Sequence, residues 1–226
     1  MSTLLLVRHG QASFGAGDYD KLSALGAEQS RLLGAAWHTR GIVPTLIVRG
    51  GLRRHRETAE QLLDGLNSPV PVETDTGWDE FDHTDIVAVH KPAYRNPLIM
   101  KAGLARTLRP KQAFQEAFEA ATERWASGSA DGYAESFQTF TDRVNQSLAM
   151  LAARATGTVA VITSGGPISA ATSQTLLGNA SAWLQLNRVA INTGVTKLVH
   201  GRRGTSLVSF NGHEHLEQDQ RLLTYR

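Results

Sequence analysis

The stretch Leu4-Leu5-Leu6-Val7-Arg8-His9-Gly10 decides how this chain is read. Four consecutive apolar residues ending abruptly in charge have the length and continuity of a strand buried on both faces, the habit of parallel sheets. Arg8, His9 and Gly10 then fall at the strand's carboxyl end, where open α/β sheets bind their ligands. An imidazole with its ordinary pKa of about 6.5 is largely unprotonated at neutral pH, so His9 offers a nucleophilic ring nitrogen without a base to activate it. The guanidinium of Arg8 is planar and permanently cationic, suited to neutralising two oxygens of a phosphoryl group. Gly10 has no Cβ and lets backbone approach a ligand closely. Taken alone, the tripeptide reads equally well as a salt-bridged arginine and a hydrogen-bonded structural histidine, and the remainder of the chain has to decide.

Working outward, Thr45-Leu46-Ile47-Val48 reads as a second buried strand that leads through Gly50-Gly51-Leu52 into a helix starting Arg53-Arg54-His55-Arg56-Glu57-Thr58-Ala59. A second arginine cluster therefore also follows a strand. The β-branched run Thr158-Val159-Ala160-Val161-Ile162-Thr163 predicts a third strand, Ser164-Gly165-Gly166 a turn, and Pro167 the opening of a helix, where its missing N–H costs nothing. Free N–H groups at such a helix start cradle an anion. Trp78-Asp79-Glu80-Phe81-Asp82 follows a short strand-like segment at Val70-Pro71-Val72-Glu73 and brings out a candidate general acid.

In this order the segments resemble the motifs of the histidine phosphatase superfamily, the group that includes the cofactor-dependent phosphoglycerate mutases. Leu22-Ser23-Ala24-Leu25-Gly26-Ala27-Glu28-Gln29 is similar to its L-(S/T)-x-x-G-x-x-Q, and Leu52-Arg53-Arg54 with Thr58-Ala59 to its L-x-R-x-x-x-T-A. Trp78-Asp79-Glu80 resembles L/W-x-E; Asn192-Thr193-Gly194-Val195-Thr196 and Asn211-Gly212-His213-Glu214-His215-Leu216 resemble N-x-S-V-T and N-x-x-x-H-L. The resemblance runs over nearly the whole chain. It implies catalytic roles for His9, Glu80, Arg8 and Arg54, a phosphate site formed by Arg8, Gly10, Gln11, Arg54, Ser164 and Gly165, and neither metal nor cofactor. The chemistry it implies is a two-step transfer, with phosphohistidine formed on His9 and Glu80 serving first as acid and then as base.

The departures from the family pattern are specific. Where the family has a second histidine, in V-x-S-H-G-G, this chain has Ser164. A serine hydroxyl offers one neutral donor from a shorter side chain. After R-H-G, the acidic residue, hydroxyl and asparagine of the family pattern become Gln11, Ala12 and Gly15, with Phe14 in place of a tryptophan. His55 and His83 lie near the expected pocket segments, and either could supply the positive charge that Ser164 lacks. A hydrolase is the leading reading. A mutase is the second, opposed by Ala12 and Gly15, and a phospholigand-binding protein without turnover the third.

Composition sets the outer bounds. The chain has 226 residues, 41% of them hydrophobic, enough for one domain with a substantial core. It has no cysteine, which excludes disulfides, thiolate metal sites and a cysteine nucleophile. A net charge of +2 gives no reason to expect nucleic acid as a partner. No apolar stretch approaches the roughly 20 residues of a membrane helix, so a soluble, cytoplasmic protein is expected; the resemblance implies a small phosphomonoester as its partner. Its oligomeric state, monomer or homodimer, is left open.

The predicted order is strand 3–8, helix 22–39, strand 45–49, helix 53–66, short strand 70–74, a mainly helical lid insertion at about 82–136, helix 137–155, strand 158–163, helix 167–177 and a hairpin over 195–210. Alternation of this kind predicts an α/β fold: a three-layer α/β/α sandwich, mainly parallel, with an antiparallel edge hairpin. Phe114, Phe118 and Trp125 recur at near-helical spacing and read as packing within the lid. Arg106, Arg109 and Lys111 read as a solvated face. Asp18-Tyr19-Asp20, a D-x-D outside any strand, and His213-Glu214-His215, without a third ligand, are set aside as metal sites.

Overall fold

The structure, a computed structural model, describes residues 1–13, 20–96, 98–100 and 109–225, and in residue 111 the backbone alone. Phe14, Gly15, Asp18 and Arg106, together with the side chain of Lys111, lie outside the described residues. Two compact units are present, one formed by Met1–Glu80 with Arg143–Arg226 and one by Phe81–Asp142.

The first unit is organised by a six-stranded sheet in the order β3-β2-β4-β1-β5-β6. Its strands are β1 (Ser2–Arg8), β2 (Leu46–Arg49), β3 (Val72–Thr74), β4 (Thr158–Thr163), β5 (Val195–Gly201) and β6 (Gly204–Gly212). The four strands from β3 to β1 run parallel, and β5 and β6 add an antiparallel edge. Leu5 and Val7 of β1, Ile47 of β2 and Ala160 and Ile162 of β4 are buried in one cluster with Leu33, Trp37, Ala59, Leu62 and Leu66. The last five belong to helices α1 (Ala24–Thr39) and α2 (Arg53–Leu66). Residues of the other parity, Leu4, Leu6, Val48, Val159 and Val161, are buried as well. Burial on both faces is why these strands read as unbroken apolar runs.

Local signals set the helix bounds. Ser23 caps α1 by accepting the Gly26 N–H at 3.0 Å. Later helices include α3 (His83–His90), α4 (Pro110–Ala126) and α5 (Phe137–Arg154). Helix α6 (Gly165–Leu177) begins two residues before the predicted start. Pro167 therefore stands third in the helix, still within the first turn, where no intrahelical N–H bond is required. Helix α7 (Trp183–Val189) is short and was not expected from the sequence.

In the second unit Asp82 caps α3, accepting from Thr84 N–H at 2.8 Å. The aromatic stripe is packing, as its spacing suggests: Trp125 is buried against Phe81, Phe137 and Phe140, and Phe118 meets the ring of His83 edge-on. Among the described residues no helix is long and apolar enough to cross a membrane.

Strand order places the site. From β1 the chain crosses to β2, and from β4 it crosses to β5 on the other side of β1. The connections leaving the carboxyl ends of the adjacent strands β1 and β4 thus diverge, and a crevice opens at such a switch point.

Candidate active site

Strand β1 runs directly into that crevice. His9 N–H donates to Thr163 O at 2.8 Å, and the His9 carbonyl accepts from Asn192 Nδ2 at 3.0 Å, so its backbone is pinned from both sides. The imidazole is 6% exposed, and its Nδ1 is 2.7 Å from Gly10 O. A carbonyl can only accept, so Nδ1 carries the proton and the neutral ring keeps its lone pair on Nε2. Burial, and after it the charges of Arg54 and Arg8 and the neighbouring His55, hold the pKa of His9 well below its ordinary 6.5. The ring stays neutral further into acid than the sequence alone suggests.

The two arginines are held from behind. Arg8 Nη1 donates to the carbonyls of Ala190 and of Tyr225, the latter at 2.8 Å. Arg54 is 8% exposed, and its Nη1 donates to Asp20 Oδ1 at 2.7 Å. The other Asp20 oxygen accepts the Arg53 N–H at 2.7 Å. Asp20 thus caps the start of α2, where Leu52 has no side chain able to do so, and aligns Arg54 in the same stroke. Arg54 Nε is buried without a hydrogen-bond partner among the described residues, a donor awaiting an acceptor.

Gly10 and Gln11, expected at the phosphate site, also have internal partners. Gly10 N–H donates to Thr58 Oγ1 at 3.0 Å, and Gln11 N–H to Gln29 Oε1 at 2.9 Å, so both backbone donors are engaged within the fold. A Cβ on Gly10 would lie 2.3 Å from Gly26 O, and one on Gly26 would lie 2.1 Å from Gln11 O. The glycine after His9 is thus demanded by the close approach of α1, which also explains Gly26 in the helix-start motif. Of Gln11, only the side chain remains for a ligand, its Oε1 accepting from Ser23 Oγ at 2.9 Å.

At the end of β4, Ser164 is fully buried and precedes the first turn of α6. The N–H of Gly166 in that turn donates to Glu80 Oε2 at 3.2 Å, so a carboxylate occupies the helix start. Glu80 is presented by a turn that Arg143 secures, its Nη1 donating to Gly77 O and Asp79 O at 3.0 Å each. Asp79, its neighbour, accepts the Gly51 N–H at 2.5 Å. Burial raises the Asp79 pKa above the usual carboxylate value, against the pull of the Gly51 and Leu52 N–H groups and of Arg143 and Arg54. His55, fully buried, places Nε2 at 2.8 Å from Ser164 Oγ. His83, its companion in the sequence reading, belongs to the second unit.

The closing motifs are structural supports. Asn192 holds the His9 carbonyl and is itself held by Thr224 Oγ1 at 2.9 Å. His215 Nε2 is 2.9 Å from Thr193 Oγ1; burial lowers its pKa to about 4. His213 Nδ1 is 2.8 Å from Asn211 O, so each histidine of the His-Glu-His run has an internal partner. Asp20, Arg143 and Asn192 carry these positioning roles without any signal in their immediate sequence beyond the motifs that contain Asp20 and Asn192.

Known proteins share this fold. A family profile described as histidine phosphatase superfamily (branch 1) matches residues 4–96 and 100–213. No curated protein is matched by sequence at a significant level. Among solved structures, YhfR of Bacillus stearothermophilus superposes with a TM-score of 0.70 at 16% identity, covering 96% of this chain and 100% of its own. A mycobacterial glucosyl-3-phosphoglycerate phosphatase gives 0.65 at 21% identity, over 94% and 99%. A phosphoglycerate mutase from Bacillus anthracis gives 0.61 at 17% identity, over 96% of each chain. At these identities the likeness is one of fold.

Proposed function

Because this chain belongs to the histidine phosphatase superfamily, we propose that it is a phosphomonoester hydrolase working through a phosphohistidine on His9. The observation that carries the proposal is the hydrogen bond from His9 Nδ1 to Gly10 O, which leaves Nε2 as a free lone pair in a crevice that also contains Arg8 and Arg54. His9 Nε2 attacks phosphorus in line, and the bond from phosphorus to the ester oxygen breaks. The leaving oxygen takes the proton of Glu80. As a carboxylate, Glu80 then removes a proton from a water that attacks phosphohistidine, which releases inorganic phosphate and restores both groups.

Charge is handled by fixed cations. Arg8 and Arg54 bind the non-bridging oxygens, aided by Ser164 Oγ, the Gly165 N–H and the Gln11 amide, and need no metal ion to do so. Glu80 lies at hydrogen-bond distance from the start of α6, within reach of an ester oxygen held there. The substrate class is a small phosphomonoester, and the alcohol half is not specified by these residues.

The test is phosphate release from an aryl phosphate in excess chelator, comparing the natural chain with His9→Ala. An aryl leaving group needs little acid assistance, so the assay isolates the nucleophile and the phosphate pocket. Chelator-resistant turnover that disappears in His9→Ala is expected; equal turnover in the two proteins would refute the assignment.

A further inference from the structure

The end of β4 carries a hydroxyl where the family pattern has an imidazole, yet an imidazole is present. His55, from the first turn of α2, reaches Ser164 from 109 residues away, Nε2 to Oγ at 2.8 Å. Its ring centroid is 5.8 Å from that of His9. His55 and Ser164 are both fully buried, so neither gains its partner from solvent. The seat of the ring is shaped for it: a Cβ on Gly50 would lie 2.2 Å from His55 Nδ1 and 2.7 Å from Asp79 Oδ1. Asp79 Oδ1 stands 3.8 Å from Nδ1, beyond hydrogen-bond range.

We propose that His55 is a positioning residue for phosphoryl transfer, fixing the Ser164 hydroxyl as a donor to the phosphoryl oxygens of a phosphomonoester at His9. The inference rests on the hydrolase reading for its substrate, and on the His55–Ser164 geometry for its residues. His55 Nδ1 has no hydrogen-bond partner among the described residues. A buried N–H without an acceptor is rarer than a buried lone pair without a donor, and Asp79 is too far to accept from Nδ1, so the proton of the neutral ring is assigned to Nε2. Nε2–H then donates to Ser164 Oγ. The hydroxyl has one proton of its own and cannot return it to the same nitrogen, so that proton is turned toward another acceptor. A hydroxyl that accepts one hydrogen bond also donates the next more strongly. Two residues from separate elements thus rebuild the donor that one histidine gives the family. Burial, with Arg54 and Arg49, lowers the His55 pKa well below its ordinary value, which keeps the ring in the neutral, donating form.

The test is a double-mutant cycle with His55→Ala, Ser164→Ala and the double variant, measured on kcat/KM for an aryl phosphate and, separately, on affinity for vanadate by calorimetry. Ser164→Ala is expected to lower kcat/KM by roughly 100-fold, the usual scale for one transition-state donor. His55→Ala should cost about 10- to 100-fold in the natural background and almost nothing beside Ser164→Ala, because it acts through that hydroxyl. His55→Gln, with an amide donor of similar reach, should recover part of the loss and takes the place of His55→Ala in the cycle if the latter does not fold. Equal losses from the His55 change in both backgrounds, or no loss at all, would overturn the inference. A chain that binds vanadate with the same non-additivity but does not turn over would retain the His55–Ser164 donor and overturn the hydrolase reading. A chain that neither turns over nor binds vanadate would overturn both.

Discussion

The carboxyl ends of β1 and β4 lie side by side, Arg8 paired with Thr163 in the sheet, and they are furnished in opposite ways. At β1 the cation, the proposed nucleophile and the carbonyl that fixes its tautomer are consecutive residues, Arg8, His9 and Gly10. At β4 only Ser164 and the start of α6 are local; His55 arrives from α2 and Glu80 from the turn after β3. A group that must sit on the nucleophile's own backbone has nowhere else to come from. A donor needed only at a point in space can be supplied by whichever element reaches that point, as proposed for His55 at β4.

Acid should expose this contrast most strongly. His9, His55 and His215 are all held below their ordinary pKa, so the folded chain stays neutral there while the unfolded chain takes up protons as pH falls below about 6.5. Each such histidine removes about 1.4 kcal/mol of stability per pH unit, or about 4 kcal/mol for three at one unit below that value. The loss ends only as pH passes through the folded values, about 4 for His215. Denaturant midpoints measured between neutral pH and mild acid should fall on this slope. A flat profile would mean that the imidazoles at the two strand ends are not buried as neutral groups.

Arg54→Ala comes next. It removes a cation that acts on His9, and kcat/KM should fall by roughly 100- to 1,000-fold with the fold retained. A loss under tenfold would shift the electrostatic work to Arg8 and weaken the claim that the two arginines act together. Gly10→Ala acts on stability: its Cβ would meet the Gly26 carbonyl at 2.3 Å, and overpacking of this kind costs about 1–3 kcal/mol, more if α1 cannot move. An unchanged melting temperature would return Gly10 to the ligand role assigned from sequence. Smallest is Arg154→Ala, which breaks a half-exposed pair with Glu73 at 2.7 Å, away from both strand ends. It should change stability by less than about 1 kcal/mol and leave turnover alone.

How far the sequence could be read follows the same division. Arg53–Leu66 and Thr158–Thr163 form the helix and strand their patterns predict, because each carries its own apolar period and its own motif. The placement of Arg8 and His9 at the end of β1 and of Arg54 at the start of α2 was legible for that reason too. The early start of α6 was hidden by Pro167, which is tolerated at several positions of a first turn rather than one. Helix α7 was missed because seven residues are too few for a helical period to stand out. The demand that α1 places on Gly10 could not be read, since a glycine that admits a ligand and one that admits a helix look alike in a string. His55 could be named as a candidate but not chosen over His83, because only the packing of α2 against β4 brings its ring to Ser164.

His9 is the residue proposed to take the phosphoryl group. The most direct measurement is a rapid quench in base during turnover of an aryl phosphate, followed by peptide mass spectrometry of the natural chain and of His9→Ala. The account predicts one phosphoryl group on His9, stable in base and lost in acid, and none in His9→Ala. Turnover without any phosphorylated histidine, or with the group on another residue, would contradict it.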